Sequence, residues 1–255
     1  NTLKIPFYFC HDTVAATAFE KESLYHPEFG NTQYKDKRNI AVFYLGFGLG
    51  SGYIIDNNLV FGASGAIGEL GHVELGSFEI KYQNDAEQRD SKRYYLNDNE
   101  DNFEENLDLD TNVAPCDCGS TSCLEHLVRV LVFNSNDISN FKRKTTLYEL
   151  SEFAKNHPYR YKVLKTLIGK ALNITVNMLN VDLVILSGRI LNSIPELKSD
   201  VEAILNDNCL KASSKYSSII NGCTRPDIVA AGAAIIAYHK AINIDKNSTP
   251  RVNWN

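Results

Sequence analysis

The residues with the clearest chemical purpose sit in one short segment, Cys116-x-Cys118-Gly119-x-x-x-Cys123. Three thiols at that spacing can wrap one tetrahedral ion, with Gly119 allowing the tight backbone turn, and soft sulfur ligands favour zinc. The fourth ligand must come from elsewhere in the chain. The histidines are His11, His26, His72, His126, His157 and His239. His72 is the best of them, because it closes a glycine-shaped loop (62–72, GASGAIGELGH) and precedes the cysteines across only one acidic stretch. Cys10, Cys209 and Cys223 are scattered and read as small buried hydrophobes.

A second group is the run GFGLGSG, with glycines at 46, 48, 50 and 52 after an apolar strand. Gly46, Gly48 and Gly50 could bring backbone N–H groups close to a phosphate. A tight strand-to-strand turn accounts for the same residues, and the next stretch of chain reads as a hairpin, not the helix of a dinucleotide fingerprint. A third group is three acids, Asp12, Glu69 and Glu125, each beside an ordered turn or the cysteine segment. Carboxylates accept hydrogen bonds from sugar hydroxyls, and one well placed can also take a hydroxyl proton.

These side chains need elements to hold them. Ile5–Phe9 reads as a short strand, followed by a helix from Asp12 to Glu22 whose N-terminus favours the Asp12 carboxylate. Residues 39–45 form an apolar strand, and Asp56-Asn57-Asn58 suits a tight hairpin turn. Beyond Cys123, apolar residues from Val163 to Leu179 recur at helical spacing, and residues 183–186 (LVIL) read as a buried strand ended by Ser187-Gly188. Ser193 with Glu196 reads as a capping box opening another helix. A last helix spans about Asp227 to Ala241, where an Ala/Gly-rich face (IVAAGAA) permits close packing, and residues 242–255 form a polar tail. Strand–helix alternation of this kind indicates an α/β fold.

Composition narrows the function classes. The chain has 255 residues, 26 basic and 31 acidic, with 44% apolar side chains. That is long enough to bury a core without disulfides and too apolar for wholesale disorder. A pI near 5.7 argues against a basic nucleic-acid surface. No apolar run approaches the ~20 residues of a membrane span and no signal segment opens the chain, so a cytoplasmic location is expected. Residues 84–112 read as an acidic surface insertion: within 84–110, ten acids face three bases, a net of −7 that leaves the rest of the chain at +2.

Together these motifs resemble the ROK family of repressors, open reading frames and kinases. Its glycine signature is echoed by Leu45, Gly48, Gly50, Gly52, Gly62, Gly68 and Gly71-His72, with Tyr53 where the family has an aliphatic residue. Its E-x-G-H appears as Glu69-Leu70-Gly71-His72. Its C-x-C-G-x-x-G-C-L-E appears as Cys116 to Glu125, with Ser122 replacing the second glycine. The resemblance implies an actin-like, RNase H-like ATPase fold, here mainly its C-terminal lobe, with residues 1–241 as a sugar-binding domain lacking the usual N-terminal lobe. It also implies a structural zinc on His72, Cys116, Cys118 and Cys123, and a sugar site formed by Asp12, Glu69, His72 and Glu125. A homodimer is expected by family analogy.

Sensor and kinase readings part at four places. Family kinases begin with a D-x-G-G-T phosphate loop, which is not in this sequence. They carry Thr where this chain has Phe47, and a Gly-Gly pair where Ser187-Gly188-Arg189 stands. They place Asn before the catalytic aspartate, whereas His11-Asp12 resembles the sugar-responsive repressors of the family. The expectation is therefore the effector domain of a transcriptional regulator, binding a hexose or N-acetylhexosamine, with any DNA contact made by a segment outside this sequence. The alternative is an ATP- and Mg²⁺-dependent hexose kinase with Asp12 as base.

Overall fold

The computed structural model describes residues 9–46, 48–75, 115–133 and 147–242. The expected strand at 5–9 (Phe9 excepted), Phe47, the acidic insertion and the tail beyond 242 lie outside the described residues. The sheet strands are β1 (Ile40–Leu45), β2 (Leu49–Ile55), β3 (Asn58–Leu59), β4 (Leu183–Ser187) and β5 (Ser218–Asn221). The principal helices are α1 (Asp12–Ser23), α2 (Leu124–Phe133), α5 (Pro158–Leu179), α7 (Leu197–Asn208) and α9 (Ile228–Ile242). Short helices α3 (Leu147–Ser151), α4 (Phe153–Asn156), α6 (Arg189–Ser193) and α8 (Lys211–Ser214) fill the connections.

The strand order is β3-β2-β1-β4-β5. β1 pairs antiparallel with β2 through the glycine turn and parallel with β4, and β4 pairs parallel with β5. Alternation along the strands sorts two buried faces. Ile40, Val42, Leu183, Ile185 and Ile220 pack with Val14, Ala15 and Ala18 of α1 and Ile236 of α9. Ala41, Phe43, Leu45, Val184, Leu186 and Ile219 pack with Leu127 and Leu131 of α2, Leu164, Leu167 and Ile168 of α5, and Val201 and Leu205 of α7. The result is three layers, helix–sheet–helix. The small-residue face of α9 meets α1, where a Cβ added at Gly232 would overlap the carbonyl of Ala15.

Local chemistry accounts for most element ends. α5 opens with Pro158 at its first position, where a missing N–H costs nothing, and closes at Asn180 in the left-handed region, φ 48°. The helix expected at Ser193 is a correction. Ser193 instead ends the short α6, and α7 begins at Leu197 without a side-chain cap. Pro195 explains the break: it disfavours helical backbone at the residue before it, and Ile194 is extended at φ −102°, ψ 103°.

Two buried charges fasten α1. Lys21 is fully buried, and its Nζ donates to the carbonyls of Lys35 and Lys37, each at 2.8 Å, bracing the segment that leads into β1. Glu20, 1% exposed, accepts from Ser187 Oγ at 2.6 Å and from the Cys223 N–H at 3.1 Å, tying α1 to the ends of β4 and β5. Burial pushes the Glu20 carboxyl above the ordinary range, and these donors pull against it.

Candidate functional site

The site lies where the N-terminus of α1, the 62–72 loop, the cysteine loop and the start of α2 converge. The 62–72 loop ends in a short 3₁₀ turn, Leu70–His72. It crosses β2 closely at Gly68, whose carbonyl accepts from the Ser51 N–H at 2.8 Å and from Ser51 Oγ at 3.0 Å. Gly68 is left-handed, φ 92°, and a Cβ there would overlap Ser51. Tyr53 joins this contact, its hydroxyl 2.7 Å from Ser51 Oγ. The cysteine loop folds back on Gly119, whose N–H donates to the Cys116 carbonyl at 2.7 Å.

Ligand atoms of His72, Cys116, Cys118 and Cys123 all lie within 4.8 Å of one another. Two edges of this group can be compared with a zinc tetrahedron. Cys118 Sγ and Cys123 Sγ are 3.7 Å apart, and Cys116 Sγ lies 3.5 Å from His72 Nδ1. Zn–S and Zn–N lengths of about 2.3 and 2.0–2.1 Å at tetrahedral angles give edges of about 3.8 and 3.6 Å. The donor set and its spacing therefore fit zinc. Burial pushes the Cys116 thiol up and the Cys123 thiol to about 12, while the Ser120 backbone N–H draws the exposed Cys118 thiol down. Buried neutral thiols become ligands when a cation supplies the charge that holds them as thiolates.

From this cluster a line of alternating imidazoles and carboxylates runs outward. His72 presents Nδ1 to the sulfurs and Nε2 to Glu69 Oε2 at 3.5 Å. Glu69 Oε1 lies 2.9 Å from His11 Nε2, and His11 Nδ1 lies 3.2 Å from Asp12 Oδ1. The Asp12 and Glu69 side chains are 62% and 39% exposed, so both can reach a ligand. Asp12 also accepts from the Thr13 N–H at 2.8 Å, and the His11 N–H donates to the Gly65 carbonyl at 3.3 Å, which pins α1 to the loop.

Glu125 is placed differently from the other acids. It lies on α2 behind the Cys₃His cluster, its side chain 11% exposed. Oε1 pairs with Arg129 Nη2 at 2.6 Å and lies 3.7 Å from Cys116 Sγ, while Oε2 accepts from the Leu49 N–H at 2.9 Å. The glycine turn abuts it: a Cβ on Gly48 would lie 2.6 Å from Oε2, and Cβ atoms on Gly50 or Gly52 would overlap Thr13 or Thr17 of α1. Gly46 closes the turn by donating to the Gly48 carbonyl at 3.0 Å. These glycines join two antiparallel strands and admit close neighbours. Gly188 is left-handed, φ 95°, and Arg189 is exposed.

The ROK resemblance groups Asp12, Glu69, His72 and Glu125 at one site; the structure links Asp12, Glu69 and His72 through His11, whereas Glu125 is turned to Arg129 and the Leu49 N–H. Sequence reasoning flags His11 only as the residue before Asp12, and it misses Arg129 and Glu74. His11 bridges two carboxylates, Arg129 neutralises Glu125, and Glu74 accepts from the hydroxyls of Ser120 and Ser122 at 2.7 Å each, which hold its carboxyl below the ordinary range. The available signals are the His-Asp dipeptide at a helix start and the Glu-x-x-x-Arg spacing on α2. Nothing local in the sequence points to Glu74.

A profile of the ROK family matches residues 1–240. Among solved structures, the chain is similar to a ROK family transcriptional regulator described as a homolog of the E. coli MLC protein. Identity is 20% and the TM-score 0.57, over 90% of this chain and 51% of that one. It is also similar to a ROK hexokinase from Thermus thermophilus, with 18% identity and a TM-score of 0.54 over 88% and 62% of the two chains. A ROK family glucokinase from Streptomyces griseus, in complex with glucose and AMPPNP, gives 18% identity and 0.56 over 91% and 68%. The chain thus spans about half the length of the regulator and less than two thirds of the hexokinase. No curated protein sequence matches it. At these identities the likeness carries the fold, the α/β actin-like ATPase architecture. With a family profile spanning nearly its whole length, the chain belongs to the ROK family.

Proposed function

We propose that this chain is the sugar-sensing part of a ROK transcriptional regulator, taking a hexose or N-acetylhexosamine against Asp12, Glu69 and His72, beside a structural zinc. The observation that carries the reading is the unbroken line from the three sulfurs through His72 and Glu69 to His11 and Asp12. When bound, zinc supplies fixed positive charge that holds the thiolates and sets the His72 ring, leaving its Nε2 side for Glu69 or a hydroxyl. Exposed carboxylates at the other end of the line accept hydrogen bonds from sugar hydroxyls. Glu125 supports this site from behind.

His11 favours sensing over catalysis. A general base needs a carboxylate oxygen open to the substrate hydroxyl. Here Asp12 Oδ1 is bonded by the Thr13 N–H and faces the His11 ring, while Oδ2 belongs to an exposed side chain and stays within reach of a hydroxyl. It is therefore the ring and not the carboxylate that separates the two readings. A ligand that engages Asp12 and Glu69 must also displace or re-pair His11, which offers a way for occupancy to bias a conformational equilibrium. DNA contact and dimer formation belong to the whole regulator. The kinase alternative draws on the exposure of Asp12 and would place Mg²⁺-ATP phosphates at the Gly46–Gly50 turn.

The test is calorimetric titration with glucose, mannose, N-acetylglucosamine and N-acetylmannosamine, alongside incubation with Mg²⁺-ATP. Saturable binding of at least one sugar is expected, lost in Asp12→Asn and Glu69→Gln, with no sugar-dependent ADP. ADP release above the Asp12→Asn control assigns a kinase instead, and absence of binding to any sugar overturns the sugar reading.

A further inference from the structure

The metal loop has a support that lies outside its four ligands. Glu74 follows His72 by two residues, and its backbone forms an isolated antiparallel bridge with Cys123. Beside that bridge the Leu124 N–H donates to the Val73 carbonyl at 3.0 Å. The Glu74 side chain then reaches over the same loop, and Oε1 accepts from both Ser120 Oγ and Ser122 Oγ at 2.7 Å.

Ser120 is the hub of the loop. A hydroxyl has one proton to donate and two lone pairs to accept with. With the proton directed to Glu74, Ser120 Oγ faces the N–H groups of Ser122 at 3.0 Å and Cys123 at 3.1 Å. Its backbone carbonyl accepts from the Cys116 N–H at 2.9 Å. One carboxylate thereby fixes a serine that touches the backbone of two of the three cysteine ligands. Ser122, which stands where the ROK motif has glycine, adds the second hydroxyl.

We propose that Glu74 is a positioning residue for the metal centre. Through Ser120 and Ser122 it latches the 116–123 loop against the bridge segment that directly follows the His72 turn, so that the sulfurs already face the imidazole before an ion arrives. This rests on the reading of the Cys₃His cluster as a zinc site and is independent of the sugar. Each hydrogen bond is exposed and contributes little alone. The effect is on ligand geometry, where outer-shell partners change metal affinity about 10–100-fold.

The experiment uses the zinc-loaded chain, with zinc release to a chromophoric chelator and the visible bands of the Co²⁺-substituted protein as readouts. Glu74→Ala is expected to release zinc roughly 10-fold faster and to broaden the cobalt bands. Glu74→Gln keeps an acceptor oxygen and should restore release to within about threefold of the parent, since a neutral acceptor still serves both hydroxyls. Ser120→Ala should match Glu74→Ala. The double variant Glu74→Ala/Ser122→Gly should be no faster than Glu74→Ala alone, because Ser122 acts through the carboxylate. Parent-like release by both Glu74→Ala and Ser120→Ala overturns the latch while leaving the zinc site standing. Equal acceleration by Glu74→Gln and Glu74→Ala also overturns it. A parent chain that takes up neither zinc nor cobalt overturns the latch and the zinc reading together.

Discussion

Glu125 shows what a single position in a motif can and cannot reveal. The C-L-E sequence sets it beside the cysteine segment, where the ROK resemblance expects a sugar ligand, and its Oε1 lies 3.7 Å from Cys116 Sγ. Its orientation is not legible, because that depends on Arg129 one helical turn later and on an N–H from a hairpin 76 residues earlier in the chain. Both side chains of the pair are 11% exposed, so each charge relies on the other. Removing one partner of a buried pair costs about 3–5 kcal/mol, whereas removing both often costs far less. Arg129→Met should lower urea stability by that order, and Glu125→Gln/Arg129→Met should recover part of the loss. An Arg129→Met chain as stable as the parent would show that Glu125 is solvated rather than braced.

Among the elements, α5 and β4 are legible because an apolar period of 3.6 or a run of branched residues survives any tertiary context. The Ala/Gly face of α9 is legible too, since only small residues allow the approach seen between Gly232 and Ala15. The α6–α7 break is not, because a serine–glutamate pair satisfies the capping pattern while Pro195 overrules it. α1 holds a feature that no pattern flags, the buried Lys21. Burial is the largest influence on its ammonium and lowers it from 10.5 to about 8. The unfolded chain keeps that proton up to its ordinary value, while the folded chain releases it near 8. Between those values the unfolded state binds more protons, so folding gains stability as pH rises. Compared with Lys21→Met, the parent should therefore gain in denaturant stability from about pH 8 to 10.5, with a flat difference below 8. A difference that stays constant across the window would refute the account.

At the scale of the molecule, ROK membership is legible because metal ligands and a close glycine crossing cannot be swapped without losing the geometry. The choice between sensor and kinase is less so. Residue types bear on it at four places, among them His11, but the bridge His11 makes between Glu69 and Asp12 is a matter of placement that no residue type reveals. The cysteine loop also serves the whole fold, since it leads directly into α2 and so anchors that helix on its face of the sheet. Stripping the ion with a strong chelator should lower Tm by on the order of 5–10 °C, reversed by zinc, and Cys118→Ser should lose the metal and show no further chelator effect. Among the described residues no helix is long and apolar enough to cross a membrane. The central strand β1 has one partner close by in the chain, β2, and one far away, with Ile40 opposite Leu183. During synthesis the β1–β2 hairpin can zip up early, yet its other border, the greasy IAVFYL stretch, must wait until the β4 residues leave the ribosome. Until then the nascent polypeptide carries an open, sticky hem, the kind of edge that invites chaperone capture or association with a neighbouring nascent chain.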